Sequence, residues 1–201
     1  RDRVKMYSER EFFDKVYACW MGKNIGGTLG APFECYRGVY DIDTFMQDVS
    51  SPVPNDDVDL QLVWLAAVEH EGKNIDSHVL AEYWESYVTW EISEYGTGKN
   101  NFRKGIVPPL SGHLRNENKD SNGAWIRTEI WATTAPGLPH VAARHAMEDA
   151  KVDPGAGEGT FAAAFVAAEI QSHLRDADSV RADLRKTGHC RERQARAVIA
   201  G

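Results

Sequence analysis

Pro54-Asn55-Asp56-Asp57-Val58-Asp59 leads directly into the apolar run Leu60-Gln61-Leu62-Val63-Trp64-Leu65-Ala66-Ala67-Val68, and the rest of the chain is organised around this stretch. Asn55 is a favoured helix N-cap, and Asp56 and Asp57 then fall in the first turn, where the helix dipole favours negative charge. One interpretation is a well-capped, buried helix over about residues 57–70. The other is a metal site, because consecutive oxygen donors at a rigid helix start can hold a hard cation such as Mg²⁺ or Mn²⁺. These residues alone leave both interpretations open.

The composition is that of an ordinary globular protein and argues against several classes of partner. At 201 residues the chain is long enough for one domain with a buried core. Its net charge of −7 argues against a nucleic-acid surface and an anionic membrane, and no apolar run reaches the roughly 18 residues of a membrane span. The start lacks both an initiator Met and a signal-peptide core, so we expect a fragment of a cytoplasmic protein. Cys19, Cys35 and Cys190 lack metal-ligand spacing and predict reduced thiols.

Helical patterns dominate, and nothing alternates cleanly enough to predict a strand. A capping box at Ser8-Glu9-Arg10-Glu11 opens a helix that runs into a glycine-rich stretch and ends at Pro32. Glu34 follows that break, where its carboxylate could face a cleft or simply lie in solvent. Further helices are predicted after Asp76 or Ser77, through Ala142 to Ala150, and after Gly159.

The region from residue 94 to residue 122 is rich in Gly, Pro, Asn and Ser, which predicts a long ordered loop. It leads to Ser121-Asn122-Gly123-Ala124, where small residues open another helix. Exposed backbone N–H groups at that start would suit a phosphate or pyrophosphate. The alternative is an ordinary helix start capped by Ser121 or Asn122.

The last thirty residues differ from the rest of the chain. Residues 172–201 contain 7 basic and 4 acidic residues, whereas the whole chain contains 23 basic and 30 acidic residues. We therefore predict a helical domain over residues 1–171 and a separate, poorly ordered or non-native tail over residues 172–201.

Taken together, the sequence resembles the ADP-ribosylglycohydrolase family over roughly residues 8–171. Four stretches carry the resemblance in the right order: Gly26-Gly27-Thr28-Leu29-Gly30-Ala31-Pro32-Phe33-Glu34, Asn55-Asp56-Asp57, Ser121-Asn122-Gly123-Ala124-Trp125-Ile126-Arg127, and the alanine-rich segment after Gly159. The resemblance implies an all-α, single-domain helical bundle with a central cleft lined by a binuclear Mg²⁺ or Mn²⁺ centre. It also implies hydrolysis of the glycosidic bond between ADP-ribose and an acceptor. The partner would be an ADP-ribosylated protein or a small molecule that contains ADP-ribose, and we expect a monomer.

The resemblance also assigns roles to individual residues. Asn55, Asp56 and Asp57 would be the first group of metal ligands. Glu34, with Asp57, would be catalytic, as the cleft carboxylate that contacts substrate or activates water. The ADP-ribose groove would be lined by Ser121, Asn122, Gly123 and Ala124.

The chain departs from the family pattern at three places. Asn55 stands where many members have Thr, and Asp153-Pro154 stands where a His is usual. The second ligand group, a Gly-x-Asp-Thr-Asp-like motif, is missing, and the nearest string is Asp176-Ala177-Asp178-Ser179. The alternative function is therefore a catalytically impaired relative that binds ADP-ribose, or a truncated remnant.

Overall fold

The computed structural model describes residues 7–175 of the chain. Within that range the protein is all-α, as predicted, and contains no strand. The helices are α1 (Glu9–Gly30), α2 (Asp56–Glu71), α3 (Ser77–Tyr87), α4 (Ser93–Phe102), α5 (Leu110–His113), α6 (Glu129–Thr133), α7 (Pro139–Ala150) and α8 (Glu158–Arg175). Short 3₁₀ turns occupy Ala31–Phe33, Gly72–Asn74 and Trp125–Arg127. None of the helices described is long and apolar enough to cross a membrane.

The first three helices begin at predicted capping residues. In the capping box of α1, the Ser8 side chain accepts a hydrogen bond from the Glu11 N–H, and the Glu11 carboxylate accepts one from the Ser8 N–H at 2.9 Å. Asn55 caps α2 by accepting from the Asp57 N–H at 2.8 Å. Asp76 caps α3 in the same manner. These side chains satisfy N–H groups that the helix itself leaves unpaired, and so they fix where each helix begins.

Small side chains let α7 and α8 pack closely against each other. α7 buries Ala142, Ala146 and Ala150 completely, and α8 does the same with Ala163 and Ala167. Their spacing of four residues places them along one face of each helix. The alanine-rich pattern of the sequence is thus explained by helix packing.

Three fully buried indole rings form the centre of the remaining core. The ring centroid of Trp64 in α2 lies 5.7 Å from that of Trp84 in α3 and 6.3 Å from that of Trp131 in α6. Tilted aromatic pairs at such distances contribute about 0.5–1.5 kcal/mol each beyond the area they bury. The rings hold α2 against α3 and α6. This packing positions the start of α2, where Asn55, Asp56 and Asp57 form what we call the Asn-Asp-Asp corner.

A buried ionic cluster lies against these rings. The Arg127 guanidinium donates at 2.6 Å to Asp149 and at 2.6 Å to Asp153, and all three side chains are completely buried. Its Cζ lies 4.8 Å from the centroid of the Trp84 ring, a cation–π distance. Burial alone would lower the pKa of Arg127, but the two carboxylates raise it well above its usual value, so the guanidinium stays charged. Asp153, at the position where the family resemblance suggests a His, is thus part of a structural ion pair.

The prediction that residues 94–122 form a long loop is wrong, because α4 covers the start of this range and α5 lies inside it. Some of the polar residues that suggested a loop, namely Asn101, Ser111 and Asn116, are buried and bonded to backbone groups. Asn101, for example, donates to the carbonyls of Ser111 at 2.6 Å and Leu114 at 3.0 Å. Such tertiary hydrogen bonds offset the poor intrinsic helix propensity of Gly and Asn.

The helical segment after Asn122 also begins differently from the prediction. Neither Ser121 nor Asn122 provides a side-chain cap for the 3₁₀ turn or for α6. The backbone closes the turn instead, since the Trp125 N–H donates to the Asn122 carbonyl at 3.0 Å. Farther along, α8 extends to Arg175, and residues 176–201, with most of the predicted tail and the Asp176-Ala177-Asp178-Ser179 string, lie outside the described residues.

Candidate active site

A cavity of about 580 Å³ opens between α1 and the start of α2, and we refer to it as the α1–α2 cavity. Its charged and amide-bearing lining residues are Lys23, Glu34, Asn55, Asp57 and Glu129. Three of these, Glu34, Asn55 and Asp57, were singled out from two separate stretches of the sequence. The structure brings them together around one cavity.

A close contact between helices builds the corner at Asn55. A Cβ atom on Gly27 of α1 would lie far inside contact distance of the Asn55 Nδ2 atom. Glycine at this position therefore lets the backbone of α1 approach the side chain that caps α2. Of the glycines in α1, Gly27 is the one that brings the two helices together at the site.

Asp56 does not line the cavity and is held by a residue of α4. Its Oδ2 atom accepts a hydrogen bond of 2.9 Å from the hydroxyl of Tyr95, a buried residue of α4. Burial, together with the nearby carboxylates of Asp153 and Asp56, raises the pKa of Tyr95. The phenol therefore remains a protonated donor at neutral pH, and it fixes one oxygen of the Asp56 carboxylate.

Lys23 bridges two carboxylates at the cavity. Its Nζ atom lies 2.8 Å from Glu129 Oε1 and 3.3 Å from Asp57 Oδ1. The Lys23 and Glu129 side chains are only 15% and 14% exposed, so solvent screens this interaction less than it would a surface pair. The ammonium links α1 to α2 and α6.

Buried Gln61 holds Glu129 from the other side. Its Nε2 donates to Glu129 Oε2 at 2.9 Å and to the Asp57 carbonyl at 2.7 Å. Its Oε1 accepts from the Ile130 N–H at 2.9 Å. With all of these groups paired, the Glu129 carboxylate has a fixed position relative to the start of α2.

Cys19 also lines the cavity, one turn before Lys23 on α1. Burial raises the pKa of its thiol to about 11, with a smaller contribution from the Glu129 carboxylate. The thiolate is the nucleophilic form of cysteine, and it is scarce at neutral pH when the pKa is this high. The chemistry of the cavity is therefore that of its carboxylates.

The predicted ADP-ribose contacts lie apart from these groups. Ser121 donates its hydroxyl to the buried Glu94 carboxylate at 2.6 Å, and Gly123 packs against the same carboxylate. The Ala124 side chain is completely buried in the core, whereas Asn122 is exposed. None of the four lines the α1–α2 cavity.

The donors of the cavity fit a hydrated divalent cation. Asp57 and Glu129 already share one positive group, the Lys23 ammonium, so the space between them accepts a cation. Among the residues that the structure describes, no three Asp, Glu, His or Cys side chains are grouped so as to hold a metal ion. Mg²⁺ often takes only one or two carboxylates and completes its shell with water and substrate phosphates. That is the donor set available here.

Several residues of the site were not predicted from the sequence, among them Lys23, Tyr95 and Glu129. Lys23 could have been found from its spacing, because Cys19, Lys23 and Gly27 follow one another at four-residue intervals along one face of α1. Glu129 comes two residues after the Ser-Asn-Gly-Ala-Trp-Ile-Arg stretch and had no such signal. Tyr95 fell inside the segment predicted as a loop.

Comparison with known proteins matches the chain to a protein family. The family model described as ADP-ribosylglycohydrolase matches residues 8–199 of the chain. Searches of curated proteins and of solved structures found no significant match. The matched range includes the candidate site and every helix described above.

Proposed function

The chain belongs to the ADP-ribosylglycohydrolase family, and on that basis we propose that it is a metal-dependent hydrolase that releases ADP-ribose from an acceptor. The acceptor would be a side chain of an ADP-ribosylated protein or a small molecule. The observation that carries the proposal is the α1–α2 cavity, which Glu34, Asn55 and Asp57 line together. These are the residues to which the family resemblance assigns catalysis and metal binding.

The corner residues would bind the metal, and Glu34 would accept the proton. Asp57 and the Asn55 amide oxygen at the cavity, with Asp56 beside them and Glu129 facing Asp57, would hold Mg²⁺ or Mn²⁺, which would orient the ribose hydroxyl groups and acidify a water molecule. Glu34 is exposed at the cavity, so its carboxylate can take a proton from the attacking water. The resulting hydroxyl bonds to the anomeric carbon as the bond to the acceptor breaks. The leaving nitrogen or oxygen of the acceptor then receives the proton.

The surrounding residues keep these groups in place. Tyr95 fixes one oxygen of Asp56, and Lys23 contacts Asp57. In this proposal, Ser121, Asn122, Gly123 and Ala124 bind ADP-ribose. Because the Ala124 side chain is buried, the contribution of that segment would come from the Asn122 side chain and from backbone groups.

An assay of ADP-ribose release from an ADP-ribosylated protein, with and without added Mg²⁺, tests this function. Glu34→Gln is expected to lower kcat about 10²–10⁴-fold, the usual contribution of a general base. Asp57→Asn is expected to weaken both Mg²⁺ binding and turnover. Glu69→Gln, at an exposed position of the same helix as Asp57, is the matched control and should have no effect. Mg²⁺-independent turnover that survives Glu34→Gln would contradict the proposal.

A second candidate function is binding of ADP-ribose without hydrolysis. The observation in its favour is that the Lys23 ammonium already fills the space between Asp57 and Glu129, where a catalytic cation would compete with it. A non-catalytic relative would bind ADP-ribose with an affinity that Mg²⁺ and Glu34→Ala leave unchanged. Calorimetric titration with ADP-ribose, run beside the release assay, separates the two functions.

A further inference from the structure

The charge at the α1–α2 cavity is unbalanced. Among the described residues that line it, Glu34, Asp57 and Glu129 are acidic and Lys23 alone is basic. The ammonium contacts two of the three carboxylates. An excess of negative charge therefore remains at the cavity after Lys23 has made both ion pairs, and this excess attracts a further cation.

The carboxylates and the ammonium differ in how firmly they are held. Gln61, which is 1% exposed, ties Glu129 to the start of α2 through hydrogen bonds of 2.9 and 2.7 Å. Asp57 belongs to the first turn of α2, so its backbone is fixed by the helix. Lys23 reaches the pair with a single ammonium on a flexible four-carbon stem. Of the three groups, the ammonium is therefore the one that can move by side-chain rotation alone.

We propose that Lys23 is an exchangeable counter-ion, which holds Asp57 and Glu129 in the metal-free protein and is displaced when a divalent cation binds there. The proposal rests on the metal-dependent function proposed above. It makes Lys23 a residue that sets metal affinity, because the cation and the ammonium compete for the same carboxylate oxygens. The displaced ammonium becomes accessible from the cavity, where it can meet an anionic substrate.

The first test is a calorimetric titration of Mn²⁺ into the full chain and into Lys23→Met and Lys23→Arg. Lys23→Met removes the competing charge and keeps a side chain of similar reach, so it is expected to bind Mn²⁺ at least about tenfold more tightly. Lys23→Arg keeps the charge and should stay close to the original protein. In the double variant Lys23→Met/Glu129→Gln, most of the gain in Mn²⁺ affinity should be lost, because one of the two carboxylates that bind the cation is gone. Thermal melts of each variant establish that it is folded.

A second test uses the original protein and so avoids any effect of mutation on folding. An amine-reactive reagent labels the chain with and without Mg²⁺ at constant ionic strength, and mass spectrometry gives the labelling rate at each lysine. Mg²⁺ is expected to raise the rate at Lys23 severalfold and to leave the exposed Lys73 unchanged. A lysine with a purely structural ion pair would not respond to the metal.

The proposal requires both results. Mn²⁺ affinity in Lys23→Met that is unchanged, weaker or undetectable would overturn it, and so would a Lys23 labelling rate that ignores Mg²⁺. Neither measurement involves ADP-ribose or its hydrolysis. Failure of the glycohydrolase function is therefore seen separately, as absence of ADP-ribose release from a protein that still binds Mn²⁺.

Discussion

Replacement of Arg127 by methionine is expected to destabilise the protein strongly, although the residue lies outside the α1–α2 cavity. The change keeps a long side chain but removes the charge, which leaves Asp149 and Asp153 completely buried without their cationic partner. Removing one partner of a buried ion pair typically costs about 3–5 kcal/mol. The total stability of a domain is about 5–15 kcal/mol. For a domain of this size, such a loss corresponds to a melting temperature lower by about 6–20 °C.

Urea unfolding followed by tryptophan fluorescence measures the loss in the free energy of unfolding. The signal reports on this region because the guanidinium lies against the Trp84 ring. Arg127→Lys is the first control: it keeps the charge but loses the forked hydrogen bonds, so an intermediate loss is expected. The second is Arg127→Met combined with Asp149→Leu and Asp153→Leu, which removes every charge of the cluster and should recover much of the stability. A loss below about 1 kcal/mol in Arg127→Met would mean that the two buried carboxylates do not depend on the guanidinium. So would a triple variant that is no more stable than the single one.

Three further predictions concern the site and its surroundings. Tyr95→Phe deletes the hydrogen bond to Asp56 and is expected to weaken Mg²⁺ binding about 10–100-fold; calorimetry that finds equal affinity would argue against a positioning role. Gly27→Ala should lower the melting temperature, because the added Cβ would overlap with the Asn55 side chain. Gly26→Ala places its Cβ in open space and should raise the free energy of unfolding by roughly 0.5–1 kcal/mol. Equal melting temperatures for the two variants would exclude the contact at Gly27. Burial lowers the pKa of His145 in the folded protein. The unfolded chain therefore takes up a proton at His145 more readily, and the folded protein loses stability as the pH falls from the usual pKa of histidine to the lowered one. His145→Gln should therefore lose less stability than the original protein between pH 7 and pH 5, and parallel melting curves would contradict this.

The parts of the fold that follow from local physics could be predicted from the sequence. The capping box at Ser8, the Asn55 cap and the Asp76 cap each satisfy N–H groups within their own first turn. The alanine pattern likewise marks the packed faces of α7 and α8. In all these cases the deciding interactions lie within a few residues of one another, or they repeat at helical spacing.

The parts that were missed depend on partners far apart in the sequence. Helix α4 has poor intrinsic propensity and is stabilised by hydrogen bonds from its buried side chains to other segments. The contact between Lys23 and Glu129 spans 106 positions, and that between Tyr95 and Asp56 spans 39. No local pattern encodes such pairs. The same holds for Arg127, which the sequence placed in a family motif and the structure places in a buried ion cluster.

We propose that the corner formed by Asn55, Asp56 and Asp57 is a metal site as well as a helix start. Calorimetric titration of Mg²⁺ into the protein and into Asp57→Ala tests it most directly, with thermal melts to establish that both are folded. A metal site at the corner gives saturable Mg²⁺ binding that disappears in Asp57→Ala. Equal binding by the two proteins, or none by either, would contradict it and leave the corner as a helix cap.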